Sequence, residues 1–495
     1  MRRALWLLCL LSFAGCDRAD DPREATVVEA IRETDELFIR SRPRLAHGKY
    51  VRMARSLYAF YRGSVPLFRS DVADPTLEVG YTDYPARGPF PLSIGDAHPE
   101  NFGTLRGADG VFAIEPNDFD SADRYPYHWE LRRLTVGMVL ASRLTNERTP
   151  EARARTAEAA PAIVAATARA YAEAALAFAD GAPRTRMTED AFEMPAIFVD
   201  LFERSRGDLE DREELEELTV LEGGARRLRR GNVDSDEPEN VYQDVPQVVT
   251  DDLPRMFDEY RRSLIDPPEP AFFEVLDAAR ELGSGVASWP RVRVIVLVRG
   301  SSDDPDDDFV FEVKELTDSG AAGRFPQGVY ADDVGDRIVT TSRQAWAVPD
   351  AEPFWGAASL VGIPVQIRQE AEMFKTLRVE RMNGVQGTPE DLTLVGRRLG
   401  WLLARIHAAD APGAEQAIDA IAEAIRGDVD GFVAQEQAVA LAYADRVEAD
   451  WERFRRALRR LGPRLGLPVD PNEYDRVSPE LRALYGTPVP PPEVE

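Results

Sequence analysis

Gly95-Asp96-Ala97-His98-Pro99-Glu100-Asn101-Phe102-Gly103, followed by Asn117-Asp118-Phe119-Asp120, is the stretch from which the rest of the chain can be read. It sets Asp96 and Asn101 in a D-x-x-x-x-N relation and adds a second acidic motif shortly after. Phosphoryl transfer asks little covalent chemistry of a protein. One carboxylate orients an acceptor hydroxyl, while an amide oxygen and a second carboxylate hold magnesium against the phosphates. The spacing makes Asp96 the candidate base, Asn101 and Asp118 the candidate metal ligands, and Asp120 a further one. Between the two motifs, Val111-Phe112-Ala113-Ile114 has the length of a short buried strand, which would deliver Asp118 to the same cleft. Each half alone also reads as a turn, since Asp-Ala-His-Pro and Asn-Asp both form turns readily. Their combination is what favours chemistry.

Together the motifs resemble the catalytic loop of aminoglycoside phosphotransferases, G-D-x-H-P-x-N followed by an aspartate-Phe motif. Ile94 stands where those enzymes carry a His, a change that removes a structural hydrogen bond but no metal ligand. His98 reads as a loop brace, because no second His or Cys lies at ligand spacing. His47, His128 and His407 carry no comparable signal.

A kinase also needs a glycine-rich loop and a lysine on the adjoining sheet. The chain has only three lysines, Lys49, Lys314 and Lys375, against 57 arginines. Lys314 lies in the apolar run Phe309 to Leu316, preceded by the β-branched run Arg291 to Val298 and the turn-rich stretch Gly300 to Asp308, a hairpin pattern. Just upstream, Gly283 and Gly285 in Leu282-Gly283-Ser284-Gly285-Val286 would let a backbone approach phosphates closely. In isolation the glycines read as a plain turn and the lysine as an edge-strand residue that discourages aggregation. Their order, loop, strand, strand, lysine, gives the functional reading. A helix expected over Asp333 to Ala347 offers Asp336 and Thr340 but no glutamate to pair with Lys314.

After a last strand at Pro364 to Gln369 comes an amphipathic helix that begins at Thr388-Pro389-Glu390-Asp391. Its end, Leu399 to His407, resembles the helix that directly precedes the catalytic loop in aminoglycoside phosphotransferases, yet here the loop lies far upstream. Circular permutation of a kinase-like fold accounts for this order. With Lys49-Tyr50, Arg52-Met53, Tyr61-Arg62-Gly63, Trp129-Glu130-Leu131, Arg133-Leu134 and Val313-Lys314-Glu315, the chain resembles the bacterial domain-of-unknown-function family 2252, assigned to the protein-kinase-like superfamily. Here Ser288-Trp289-Pro290 is bulkier than usual in that family, and Glu130 stands where an aspartate is common. The resemblance implies an α+β, bilobal, protein-kinase-like fold, with a small antiparallel-sheet nucleotide lobe and a larger helical lobe. The expected divisions are a helical catalytic lobe over 26–274 with its catalytic loop at 95–120, a nucleotide-lobe-like sheet and helix over 275–385, and a helical continuation over 386–487. Within 149–179 the Ala-rich composition predicts one long helix, interrupted or kinked at Pro161. Arg62, after Tyr58, Phe60 and Tyr61, either reaches a phosphate or acidic acceptor or snorkels from a packed helix.

Arg2 and Arg3, the ten-residue apolar core Ala4 to Phe13, broken only by Ser12, and Ala14-Gly15-Cys16 resemble a lipoprotein signal over 1–15, with Cys16 as the lipidated residue and 16–25 as a polar tether. Ten residues are too few to span a bilayer, which takes about 20. An ordinary secretory signal, or a start codon placed upstream of a cytosolic protein, is the other reading. Losing Arg2 and Arg3 but no acid takes the net charge from −27 to −29, which argues against a nucleic-acid partner. The acidic run Gly207 to Glu217 and the basic run Arg226 to Arg230 read as solvated helix faces or an insertion, and 488–495 as a disordered tail. The expectation is therefore an exported, membrane-anchored, kinase-like phosphotransferase or nucleotidyl transferase, using magnesium and ATP on an unspecified acceptor. Its rival is a noncatalytic envelope lipoprotein that keeps the cleft for another ligand. Oligomeric state is left open.

Overall fold

The computed structural model describes residues 21–144, 149–211, 213–232, 241–317, 333–371, 373–468 and residue 484. Cys16 and the 488–495 tail lie outside the described residues. The fold is α+β, with a large helical assembly and a six-stranded antiparallel sheet.

Leu392, Val395, Leu399, Leu402, Leu403 and Ile406 recur at helical spacing, and all are buried in the helix Pro389–His407. Thr388 caps it by accepting from Asp391 N, with Glu390 and Asp391 at its positive end. This helix packs closely on Ala160–Ala179. Gly400 makes the approach possible, since a Cβ there would stand 2.3 Å from Thr167 O. By length and composition Ala160–Ala179 is apolar enough to cross a membrane, yet half of its most apolar window is buried inside the protein. Its Ile163, Val164, Tyr171 and Phe178 belong to the main core. The expected single helix over 149–179 is two, Pro150–Glu158 and Ala160–Ala179. The break falls at Ala159, and Pro161 sits in the first turn of the second helix, where a missing N–H breaks no intrahelical bond.

Tyr127–Leu144 and the long helix Val429–Leu461 complete this core with the N-terminal helices Pro22–Ser41, Pro43–Arg55 and Leu57–Gly63. The first begins within the stretch read as a tether. Asp21 caps it through Arg23 N, and the Arg23 guanidinium binds the buried carboxylates of Asp71 (2.5 Å) and Asp450 (2.6 Å).

The sheet orders its strands as Gly356–Leu360, Ile363–Gln369, Phe309–Glu315, Arg293–Val298, Val275–Leu282 and Val241–Asp244. Val294, Val296, Phe311, Val313, Val365 and Ile367 put one face into a second core, closed by Leu253, Phe257 and Tyr260 of the helix Gln247–Arg261. Both that helix and the edge strand lie before residue 275, so the sheet unit recruits chain upstream of the expected boundary. The helix Val334–Ala345 follows the lysine-bearing strand, within the span read from sequence. The basic run lies on a hairpin, Thr219–Glu222 with Ala225–Leu228, and not on a helix. Its Arg226 is buried and paired with Asp306 at 2.9 Å. The acidic run falls on the helices Ala196–Asp211 and Glu213–Leu218.

Candidate functional site

The hairpin Phe102–Arg106 with Phe112–Pro116 pairs Phe102 with Pro116, so the residues just outside it meet, and Asn117 N donates to Asn101 O at 3.1 Å. This is how two motifs separated in sequence share one cleft. The linker after the sheet runs along the hairpin's edge, with Thr104 N donating to Lys375 O and Leu377 N to Phe102 O. Gly103 is required there, because a Cβ would stand 2.2 Å from Lys375 O. Lys375 is itself ion-paired with Asp208.

Within the loop, Asn101 donates Nδ2 to Asp96 O at 2.8 Å. Arg133, on the helix Tyr127–Leu144, donates Nε to Asp96 Oδ1 at 2.6 Å and lies 3.7 Å from the Tyr61 ring centroid. From the same helix, Glu130 accepts from Ile94 N (3.2 Å) and Gly95 N (2.6 Å), and His407 Nε2 lies 3.1 Å from its Oε2. The chain that lacks a His at position 94 thus braces its loop through Glu130 and a His from the end of another helix. His98 is buried and held well below the usual imidazole pKa, by burial first and then by Arg62, Arg133 and Arg378.

Asp118 Oδ1 accepts from Asp120 N at 3.0 Å. Burial, then the charge of Asp120, raises its pKa. Burial would raise Asp120 as well, but the Arg291 and Lys314 cations outweigh it and hold that carboxyl below the usual range. Lys314 Nζ stands 2.7 Å from Asp120 Oδ2, and Arg291 Nη1 2.6 Å from the same oxygen. The lysine's carboxylate partner therefore comes from the Asp118–Asp120 loop. On the helix Val334–Ala345 the residue that reaches this region is the fully buried Arg337, which donates to Asp120 O (3.1 Å), Ala122 O (2.7 Å) and Thr317 O (2.8 Å). Phe119 is fully buried against Trp346 and Trp355.

These groups border a cleft of about 780 Å³, with Asn101, Asp118, Lys314, Gly285 and Arg62 in its lining. Asp96, Asp120 and Gly283 are not among its lining residues. Gly283 and Gly285 take positive φ (90° and 76°), and Arg52 donates to both their carbonyls at 3.1 Å while stacking on Trp289. Trp289 in turn packs on Gly48, where a Cβ would be 2.3 Å from the indole nitrogen. Arg62 Nη1 pairs with Glu100 Oε2 at 2.7 Å. Among the described residues no three His, Cys, Asp or Glu side chains gather to cage a metal. Magnesium needs no such cage, since one or two protein ligands plus water and phosphates hold it. Asn101, with its amide NH2 on Asp96 O, keeps Oδ1 as acceptor, and Asp118 lines the same cleft, so the pair fits magnesium.

Arg133, Arg291, Arg337 and His407 carry no site signal in the sequence; Arg133, Arg291 and His407 lie in stretches quoted above, but their roles appear only with their partners beside them.

No curated protein and no solved structure matches this chain. The family described as "Uncharacterized protein conserved in bacteria (DUF2252)" matches residues 40–457, most of the chain, and the chain belongs to that family.

Proposed function

We propose that the protein is a kinase-like phosphotransferase, or nucleotidyl transferase, with a circularly permuted bilobal fold. The observation that carries the reading is the Lys314–Asp120 ion pair beside Asn101 and Asp118, on segments far apart in sequence. The sheet supports it: the loop with Gly283 and Gly285 joins two antiparallel strands, Lys314 lies on the third, a helix follows, and the closing hairpin returns its second strand to pair with the third. That is the order of parts in a kinase nucleotide lobe. Permutation is supported by His407, which reaches Glu130 across a separation of 277 residues and so meets the start of the catalytic loop.

In this mechanism Arg133 fixes Asp96 through Oδ1, and Asp96 accepts the proton of an acceptor hydroxyl. Lys314, aligned by Asp120, meets the phosphates of ATP. Asn101 and Asp118 would hold magnesium, whose charge offsets that of the transferring phosphate. Arg62 is the candidate acceptor contact.

A second reading, a noncatalytic ligand-binding cleft, is favoured by one observation. The glycine loop is already fastened, by Arg52 on its carbonyls and by Trp289 against Gly48. Calorimetric titration of the full chain with magnesium-ATP separates the two. Metal-dependent binding that weakens at least about tenfold in a folded Asp118→Ala variant is the expected result. A folded wild type that binds no nucleotide with magnesium or manganese would leave the noncatalytic reading.

A further inference from the structure

The wall facing the sheet differs in charge from the rest of this acidic protein. Arg52, Arg55 and Arg62 from the N-terminal helices and Arg378 from the linker border it, against the carboxylates of Glu100 and Glu380. The whole cleft is lined by seven cationic and four acidic side chains, in a chain of net charge −27. On the sheet side, Arg293 has Glu312 at 3.0 Å, Arg368 has Glu352 at 2.9 Å, and Lys314 has Asp120. On the helical side one buried carboxylate positions two arginines. Glu100 Oε2 lies 2.7 Å from Arg62 and 3.6 Å from Arg378, while its Oε1 accepts from Val379 N at 2.8 Å. Glu100 belongs to the catalytic loop itself, one residue before Asn101. Tyr58, more than nine-tenths buried on the same wall, has a hydroxyl with no hydrogen-bond partner among the described residues.

From this we infer that the acceptor is an anionic hydroxyl compound, one carrying a phosphate or carboxylate group that Arg62 and Arg378 bind while Glu100 holds them in place. Guanidinium forks suit such oxyanions, and local charge governs binding because at physiological salt the field of the distant acidic surface is screened beyond about 8 Å. A polycationic acceptor would meet repulsion on this wall. The inference rests on the phosphotransferase reading for the word acceptor, but the anion site itself can be tested without it.

The test is calorimetry on the full chain with three probes given separately: glycerol 1-phosphate, spermidine, and phosphatidylglycerol vesicles in a phosphatidylcholine background, the last followed by co-sedimentation. Magnesium-AMP-PNP is titrated in parallel. The expected result is binding of glycerol phosphate or of the anionic vesicles, which identifies a soluble or a lipid source, and none of spermidine. Arg62→Gln with Arg378→Gln should weaken anion binding at least tenfold and leave nucleotide affinity within about twofold. Lys314→Ala should do the reverse. Arg378→Gln alone, at a side chain 40% exposed, keeps the test available should the double variant misfold. Binding of neither anion, anion binding unchanged in the arginine variants, or preference for spermidine would overturn the inference. Loss of nucleotide binding alone, with the anion arm intact, would sink the phosphotransferase reading and leave the anion site standing.

Discussion

Asp120 shows how one side chain can connect two parts of a site. Two cations, Lys314 and Arg291, share its Oδ2, all three side chains being at most 13% exposed. Removing one member of a mostly buried pair leaves charge without compensation, which costs about 3–5 kcal/mol in comparable settings. Asp120→Asn is therefore expected to lower stability by roughly 3 kcal/mol in urea denaturation, and adding Lys314→Met should return part of that loss. His98 makes the opposite demand, to stay neutral. Its folded-state pKa lies well below 6.5 while the unfolded chain protonates near that value, so the stability it contributes is present above about pH 6.5 and is lost as pH falls through it. In that range wild type should lose up to about 1.4 kcal/mol per pH unit relative to His98→Gln, read from urea midpoints at pH 7.5, 6.0 and 5.0. Asp96, Asn101, Asp118 and Lys314 were legible in the sequence because their signals are local, a fixed spacing or a rare residue. Arg133, Arg291 and Arg337 were not. Among 57 arginines one more carries no signal, and their partners lie 37, 171 and 217 residues away.

Among the elements, periodicity gave the helix Pro389–His407 with its Thr388 cap, and β-branched runs gave the three strands around Lys314. The strand Val241–Asp244 and the helix Gln247–Arg261 were not assigned to the sheet, since nothing local says which layer an amphipathic segment will cover. Close helix packing can be tested at Gly400. Alanine there gains about 1 kcal/mol of helix propensity, but its Cβ meets the Thr167 carbonyl, backbone that no rotamer change can move. Overpacking of this kind costs about 1–3 kcal/mol, so Gly400→Ala should destabilise by up to about 2 kcal/mol net, lowering the urea midpoint with an unchanged slope.

For the whole molecule, ion pairs fasten the helical assembly to the sheet unit. The buried Arg42 binds Glu315 of the sheet at 2.5 Å, and Arg291 and Lys314 of the sheet unit bind Asp120. The α+β architecture is what the family resemblance implies, and the helices and the six-stranded sheet agree with it. Location is a property of the full chain, and we propose export with lipidation at Cys16. Globomycin treatment of producing cells should accumulate a lipid-modified, uncleaved precursor that Cys16→Ala abolishes; absence of that precursor would leave an ordinary secretory signal or a cytosolic protein with ATP at hand. The brace at Glu130 and His407 has a temporal consequence. Ribosomes make the loop and Glu130 in the first third of the chain and His407 only in the last fifth. A nascent chain stopped before 407 would therefore hold every candidate catalytic residue and still lack the clasp that completes the loop. Contacts this distant in sequence close slowly, so the candidate site gains its last brace only after about four-fifths of the chain has been made.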